Sequence, residues 1–228
     1  MPICAIIFDF DGTLAELTLD FDIMKSRLFT MGHAYFDSPP SVYDRPALEW
    51  IEGSAGLLPE PQAKMFRQDA MNIIQGMEVE AATRGRLFPF TRIVFKKLRQ
   101  VGIKTGIITR NCRPAVLTVF PDWAEYTDVL LTRDDVPYVK PNPAHLTNAL
   151  ERLAVPVEHG LMVGDHPMDI QTGKNAGTLT AGSASGRFSI HALFQAGADF
   201  AETNISILVD VLQKKNLVAH DTQSESIL

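Results

Sequence analysis

Four short constellations in this 228-residue sequence carry residue types capable of chemistry. The first is Asp9-Phe10-Asp11-Gly12-Thr13, which closes the apolar run Ile3 to Phe8. Two carboxylates two residues apart repel each other and are costly when both are ionised. A cation between them removes that cost, so the stretch asks for a metal. The second is Thr109-Arg110-Asn111, after Ile107-Ile108. The third is Lys140-Pro141-Asn142-Pro143, and the fourth is Val163-Gly164-Asp165-His166-Pro167-Met168-Asp169. Taken singly, each has a plainer reading. Asp-x-Asp-Gly makes turns, a strand-end threonine satisfies its own backbone, and lysines and helix carboxylates are ordinarily solvated. Asp169 follows Asp165 by four residues and on a helix can face the same way.

The elements that must position these groups follow from the hydrophobic pattern. Residues 3–8 read as a strand buried on both faces, the kind found in a parallel sheet. Asp9, as its last residue, and Asp11 then sit at the carboxyl end, where open α/β sheets bind ligands. Residues 16–86 show no convincing strand. Helices are predicted there over 21–31, over 46–57 (Asp44 as cap, Pro46 in the first turn) and over 61–82, with Gly76 a weak point. From Phe88 onward strands and helices alternate. Helices are expected over 89–101, 113–120, 142–153, 167–175, 189–195 and 205–213, and strands over 103–109, 126–131, 160–164, 178–181 and 198–201. This order predicts an α/β fold, a Rossmann-like, mostly parallel sheet with helices on both faces, carrying an inserted all-helical block. The core is assigned to 1–15 and 87–214, the insertion to 16–86, and a loose tail to 215–228.

Composition narrows the functional classes. The formal net charge is −6, which argues against non-specific nucleic-acid binding, since that rests on Lys and Arg neutralising phosphates. A locally basic pocket can still hold a small anion. The two cysteines, Cys4 and Cys112, have no metal-site or redox spacing and make no disulfide framework. Cys4 reads as a core residue of the first strand. No signal peptide and no membrane-length apolar stretch is evident, and a cytoplasmic location is expected.

The four constellations, in this order, resemble the motifs of the haloacid dehalogenase-like hydrolase superfamily, and the resemblance runs to about residue 213. DFDGTL, the strand-ending Thr109, KPNP, and VGDHPMDI followed by Asn175-Ala176-Gly177 carry it. Within the superfamily the sequence looks most like the phosphoglycolate phosphatase and β-phosphoglucomutase branch, whose helical cap is inserted just after the first motif. The resemblance implies phosphoryl transfer. That chemistry needs an in-line nucleophile, neutralised oxygens and proton delivery to the leaving group. Asp9 then suits the nucleophile that becomes an aspartyl phosphate. Asp11 suits the acid that becomes a base, and in relatives its main-chain carbonyl is a metal ligand. Gly12 lets the backbone approach the phosphate. Thr109 and Lys140 face the phosphoryl oxygens, while Asp165 and Asp169 join Asp9 and Asp11 around Mg²⁺, the cation that suits hard oxygen ligands beside a phosphate. Gly12, Thr13, Arg110 and Asn111 are expected against the substrate, a small phosphorylated metabolite. His166 has no expected role. Arg27, Arg45, Arg67, Arg84 and Arg86 are cap candidates for the substrate, as are Phe21, Met24 and Tyr43, which suit the cap's own core equally. A phosphomutase on the same fold, or a catalytically silent binding module, are the alternatives.

Overall fold

The apolar run becomes strand β1 (Ala5–Phe8) in this computed structural model, which describes residues 2–16 and 19–219. Five more parallel strands follow: β2 (Lys104–Ile108), β3 (Val129–Leu131), β4 (Gly160–Gly164), β5 (Leu179–Ser183) and β6 (Phe200–Glu202). They lie in the order β3-β2-β1-β4-β5-β6. The order reverses between β1 and β4, and the crevice at such a switch point is where open sheets bind ligands. Both faces are covered, as the unbroken apolar runs require. Ile6 and Phe8 pack with Val94, Phe95 and Leu98 of helix α4 (Thr91–Gln100), and with Leu208 and Leu212 of α9 (Ile205–Lys214). Ala5 and Ile7 pack the other way, against Leu146, Ala149 and Leu150 of α6 (Pro143–Leu153). Three further helices of this part are α5 (Arg113–Val119), α7 (Pro167–Ala176) and α8 (Ile190–Gln195).

The chain divides into two compact units, Met1–Leu17 with Gly85–Leu228, and Thr18–Arg84. The second holds α1 (Phe21–Gly32), α2 (Ala47–Ala55) and α3 (Glu60–Ala82). Its core gathers Met24, Leu28, Trp50, Phe66 and Ile74, while Tyr43 is exposed. The ring of Phe66 meets those of Tyr35, Phe36 and Trp50 at 5.3, 5.8 and 5.4 Å. Arg67 pairs with Glu52 and Arg84 with Glu80. In the first unit the outgoing and returning chains run side by side. Glu16 N–H donates to the Arg86 carbonyl and Phe88 N–H to that of Leu14, both at 2.9 Å.

Several local expectations are corrected. Asp9 lies one residue beyond β1, although its N–H still donates to the Val163 carbonyl at 2.8 Å. Cys4 is exposed. Asp44 does not cap α2; Pro46 takes the cap position, with no side-chain bond. Helix α4 starts at Thr91, whose N–H closes a turn onto Phe88 and whose hydroxyl donates to the Leu14 carbonyl. Strand β6 starts at Phe200, after Asp199, whose carboxylate accepts the N–H and hydroxyl of Thr180. The start of the expected tail is tied down. Ile3 N–H donates to the Leu217 carbonyl, and Gln213 donates to that of Ala219. The rest of that tail, 220–228, lies outside the described residues. No helix among the described residues is long and apolar enough to cross a membrane.

Candidate active site

The site stands at the carboxyl ends of β1, β2 and β4. Side chains alternate along β1, so Asp9 falls on the face of Ala5 and Ile7, towards α6. Lys140 reaches the same place from the loop before α6. Its Nζ lies 2.6 Å from Asp9 Oδ1 and 2.6 Å from Asp169 Oδ1. Lys140 is 2% exposed and Asp169 1%, so neither is the solvated surface group that its residue type alone suggests. Phe10 N–H also donates to Asp9 Oδ1, at 2.7 Å.

Asp169 opens α7 as well. Its Oδ2 accepts the N–H of His166 at 3.1 Å, and His166 Nδ1 accepts that of Met168 at 3.0 Å. The pair forms a reciprocal cap, which gives His166 the role that the sequence withheld. Its ring also meets that of Phe188 edge-on at 4.6 Å. Burial holds the His166 pKa below the usual histidine value.

Asp165 follows β4. Its neighbours are main-chain surfaces that approach closely only because they carry no side chain. A Cβ on Gly12 would lie 2.4 Å from Asp165 Oδ2, and one on Gly186 would lie 1.8 Å away. Gly12 also has φ +80°, which L side chains rarely adopt. Arg187 N–H donates to the same oxygen at 3.3 Å. Ser185 Oγ donates to the Gly12 carbonyl at 2.8 Å and lies 2.7 Å from Ser183 Oγ. This loop after β5 was missed from sequence. Its run of small residues, Ser183-Ala184-Ser185-Gly186, is the signal that backbone comes close to something there.

The electrostatics are strained towards negative charge. Burial, the largest effect, raises the Asp9 carboxyl to about 6, with Lys140 pulling down and Asp169 pushing up. Burial, then the charges of Asp9 and Asp169, raises Asp165 to about 7. Burial alone would lower the Lys140 ammonium, but Asp169 and Asp9 prevail and hold it above the usual lysine value. Three buried carboxylates therefore share one buried ammonium. The candidate ligand oxygens of Asp9, Asp165 and Asp169 lie within 4.8 Å of one another. A hard cation fits this all-oxygen set, and its charge would relieve the repulsion.

The remaining expected residues divide. Thr109 is buried; its N–H donates to the Leu131 carbonyl and its Oγ1 accepts the N–H of Asn111, both at 3.0 Å. Asn111 Nδ2 donates to Asp11 Oδ2 at 3.0 Å. Arg110 Nη1 donates to the main-chain carbonyl of Lys140 and approaches Met168 Sδ at 3.5 Å. Thr13 is fully buried in the turn, and its Oγ1 meets no hydrogen-bond partner among the described residues. A second residue unseen in the sequence is His145. It is fully buried, its Nδ1 accepts the Lys140 N–H at 3.3 Å, and its Nε2 meets the Leu131 carbonyl at 3.1 Å. Burial, then the charge of Lys140, lowers its pKa to about 4. The ring is neutral at pH 7, which frees Nδ1 to accept and leaves Nε2–H to donate.

Comparison with known proteins gives the family and the fold. A family model described as haloacid dehalogenase-like hydrolase matches residues 3–177. The pyrophosphatase PpaX of Bacillus cereus is 32% identical over 225 residues, covering 95% of this chain and 99% of that protein. A haloacid dehalogenase-like hydrolase structure from Bacteroides fragilis superposes with TM-score 0.66 at 23% identity, covering 90% of this chain and 99% of the other. A phosphonoacetaldehyde hydrolase-like protein from Oleispira antarctica gives TM-score 0.69 at 18% identity, covering 95% and 94%. The six-stranded sheet, the order of the four motifs and these matches agree, and the chain belongs to the haloacid dehalogenase-like hydrolase family.

Proposed function

We propose that the protein is a Mg²⁺-dependent phosphatase that hydrolyses a small phosphorylated metabolite through an aspartyl phosphate on Asp9. The observation that carries the reading is the buried cluster of Asp9, Asp165 and Asp169 around one lysine. A structural salt bridge needs no third buried carboxylate, whereas a site for a cation beside a phosphoryl group uses one as a ligand.

Asp9 attacks phosphorus as a carboxylate. The Asp9 oxygen–phosphorus bond forms while the bond from phosphorus to the leaving oxygen breaks, and Asp11 gives its proton to that oxygen. In the second half a water attacks phosphorus and Asp11 takes its proton. The bond to Asp9 breaks and inorganic phosphate departs. Lys140 and the Thr109 hydroxyl hold negative charge on the phosphoryl oxygens. Asp9, Asp165 and Asp169, with the main-chain carbonyl of Asp11, would hold the cation, which would neutralise phosphoryl charge. The helical insertion serves as the cap that selects the leaving group, and the enzyme works in the cytoplasm.

Phosphoglycolate and sugar phosphates are the proposed substrate class. The likeness to PpaX over nearly the whole chain adds inorganic pyrophosphate, whose leaving group is phosphate. The test is phosphate release from a panel of these compounds, with Mg²⁺ and with EDTA, beside Asp9→Asn. Wild type is expected to be active only with Mg²⁺, and Asp9→Asn inactive. Conversion of a hexose 1-phosphate to its isomer without phosphate release would instead identify a phosphomutase. No release from any compound would leave the fold without this activity.

A further inference from the structure

Asn111 is fixed at three points. Its own N–H donates to Thr109 Oγ1 at 3.0 Å, its Oδ1 accepts the N–H of Cys112 at 2.8 Å, and its Nδ2 donates to Asp11 Oδ2 at 3.0 Å. The Cys112 N–H can only donate, so Oδ1 must face it and Nδ2 must face Asp11. The amide's orientation follows from its partners. Thr109 is still bonded to β3 through the Leu131 carbonyl, and Cys112 is fully buried at the start of α5. Asp11 follows β1 and forms a β-bridge with Ala15 at the entry to the turn 12–14.

We propose that Asn111 is a positioning residue for Asp11. It fixes the rotation of the carboxylate from the sheet side, so that the proton travels along one direction, to the leaving oxygen and later from water. The assignment rests on the reading of Asp11 as the proton carrier. It gives Asn111 a partner in the protein, in place of the substrate contact expected from the sequence.

Leaving-group chemistry provides the test. The ratio kcat/KM reports events up to departure of the leaving group. The alkoxide of phosphoglycolate needs a proton to depart, whereas p-nitrophenolate does not. Asn111→Ala should lower kcat/KM for phosphoglycolate by about 10- to 100-fold, the loss expected when a general acid is mispositioned. For p-nitrophenyl phosphate it should change by less than about threefold, because no proton transfer is lost there. Asn111→Asp keeps an oxygen for the Cys112 N–H and replaces the donor to Asp11 with a carboxylate oxygen, so it should show at least the same split. If Asn111 merely caps Cys112, Asn111→Asp will behave as wild type. If it contacts substrate, both compounds will lose equally. Either result overturns the assignment, with rates compared per folded protein from the thermal melt. Wild type that releases no phosphate, or Asp9→Asn with wild-type rates, would refute the phosphatase reading instead.

Discussion

Asp165→Asn tests the electrostatics of the cluster apart from any activity. The folded protein holds the Asp165 carboxyl at about 7, through burial and then the charges of Asp9 and Asp169, against 3.8 for an ordinary aspartate. Between those values the folded chain keeps a proton that the unfolded chain has lost. Stability therefore falls as pH rises from about 4 to about 7, and the full cost persists above that. The gap between about 7 and 3.8 is about 3, and each such step is about 1.4 kcal/mol, so the cost at pH 8 is about 4 kcal/mol. Asparagine keeps an oxygen to accept the Arg187 N–H and carries no charge. In a chain of this length 1 kcal/mol moves the melting midpoint by about 2–4 °C. Asp165→Asn should then melt about 8–16 °C above wild type at pH 8 in EDTA, with the gap closing towards pH 4. Mg²⁺ should raise the wild-type midpoint at pH 8 and leave the variant's nearly unmoved. Scanning fluorimetry across pH 4–8, with EDTA and with Mg²⁺, measures both. A variant that melts at or below wild type at pH 8 without metal would refute the argument.

Three further substitutions read other parts of the molecule. Gly186→Ala puts a Cβ where Asp165 Oδ2 lies, so Mg²⁺ affinity by calorimetry should fall about 10- to 100-fold, as when a support to a ligand is lost. His145→Phe leaves the Lys140 N–H without its acceptor and removes one of two donors to the Leu131 carbonyl, which keeps the Thr109 N–H; urea unfolding should show a loss of about 1–3 kcal/mol for the unsatisfied N–H. Phe66→Ala removes the ring at the centre of the helical unit's core. It should cost about 3–5 kcal/mol, read from the fluorescence of neighbouring Trp50 during unfolding.

The sequence made the central strands legible for a physical reason. β1 and β4 are buried along their whole length and read as unbroken apolar runs, β2 ends in the buried pair Ile107-Ile108, and the carboxylates or hydroxyl that follow them stand out. The edge strands β3 and β6 have three residues each, too few for a period to show, and their expected starts were misplaced by two or three residues. Roles that depend on the path of a loop were not legible. Nothing local marks His145 as the acceptor for Lys140. Nothing local tells Asn111 that a partner lies 100 positions away, nor Arg110 that it holds the Lys140 carbonyl 30 positions away.

Lys140 shows why the cluster calls for a cation. Its main chain is held from both sides, the N–H by His145 and the carbonyl by Arg110. The ammonium is thereby delivered between Asp9 and Asp169 rather than left to wander. One ammonium cannot neutralise two carboxylates, and the third, Asp165, has a main-chain N–H among its donors. Buried charges must be paired or protonated. Burial raises Asp9 to about 6 and Asp165 to about 7, so a proton held near neutral pH falls mainly on Asp165. A proton on Asp9 would work against the proposed reaction, because a nucleophile needs its lone pairs. Positive charge beside Asp165 and Asp9 lowers both values and favours the carboxylate forms. The same burial that raises these carboxyls thus favours the proposed cation.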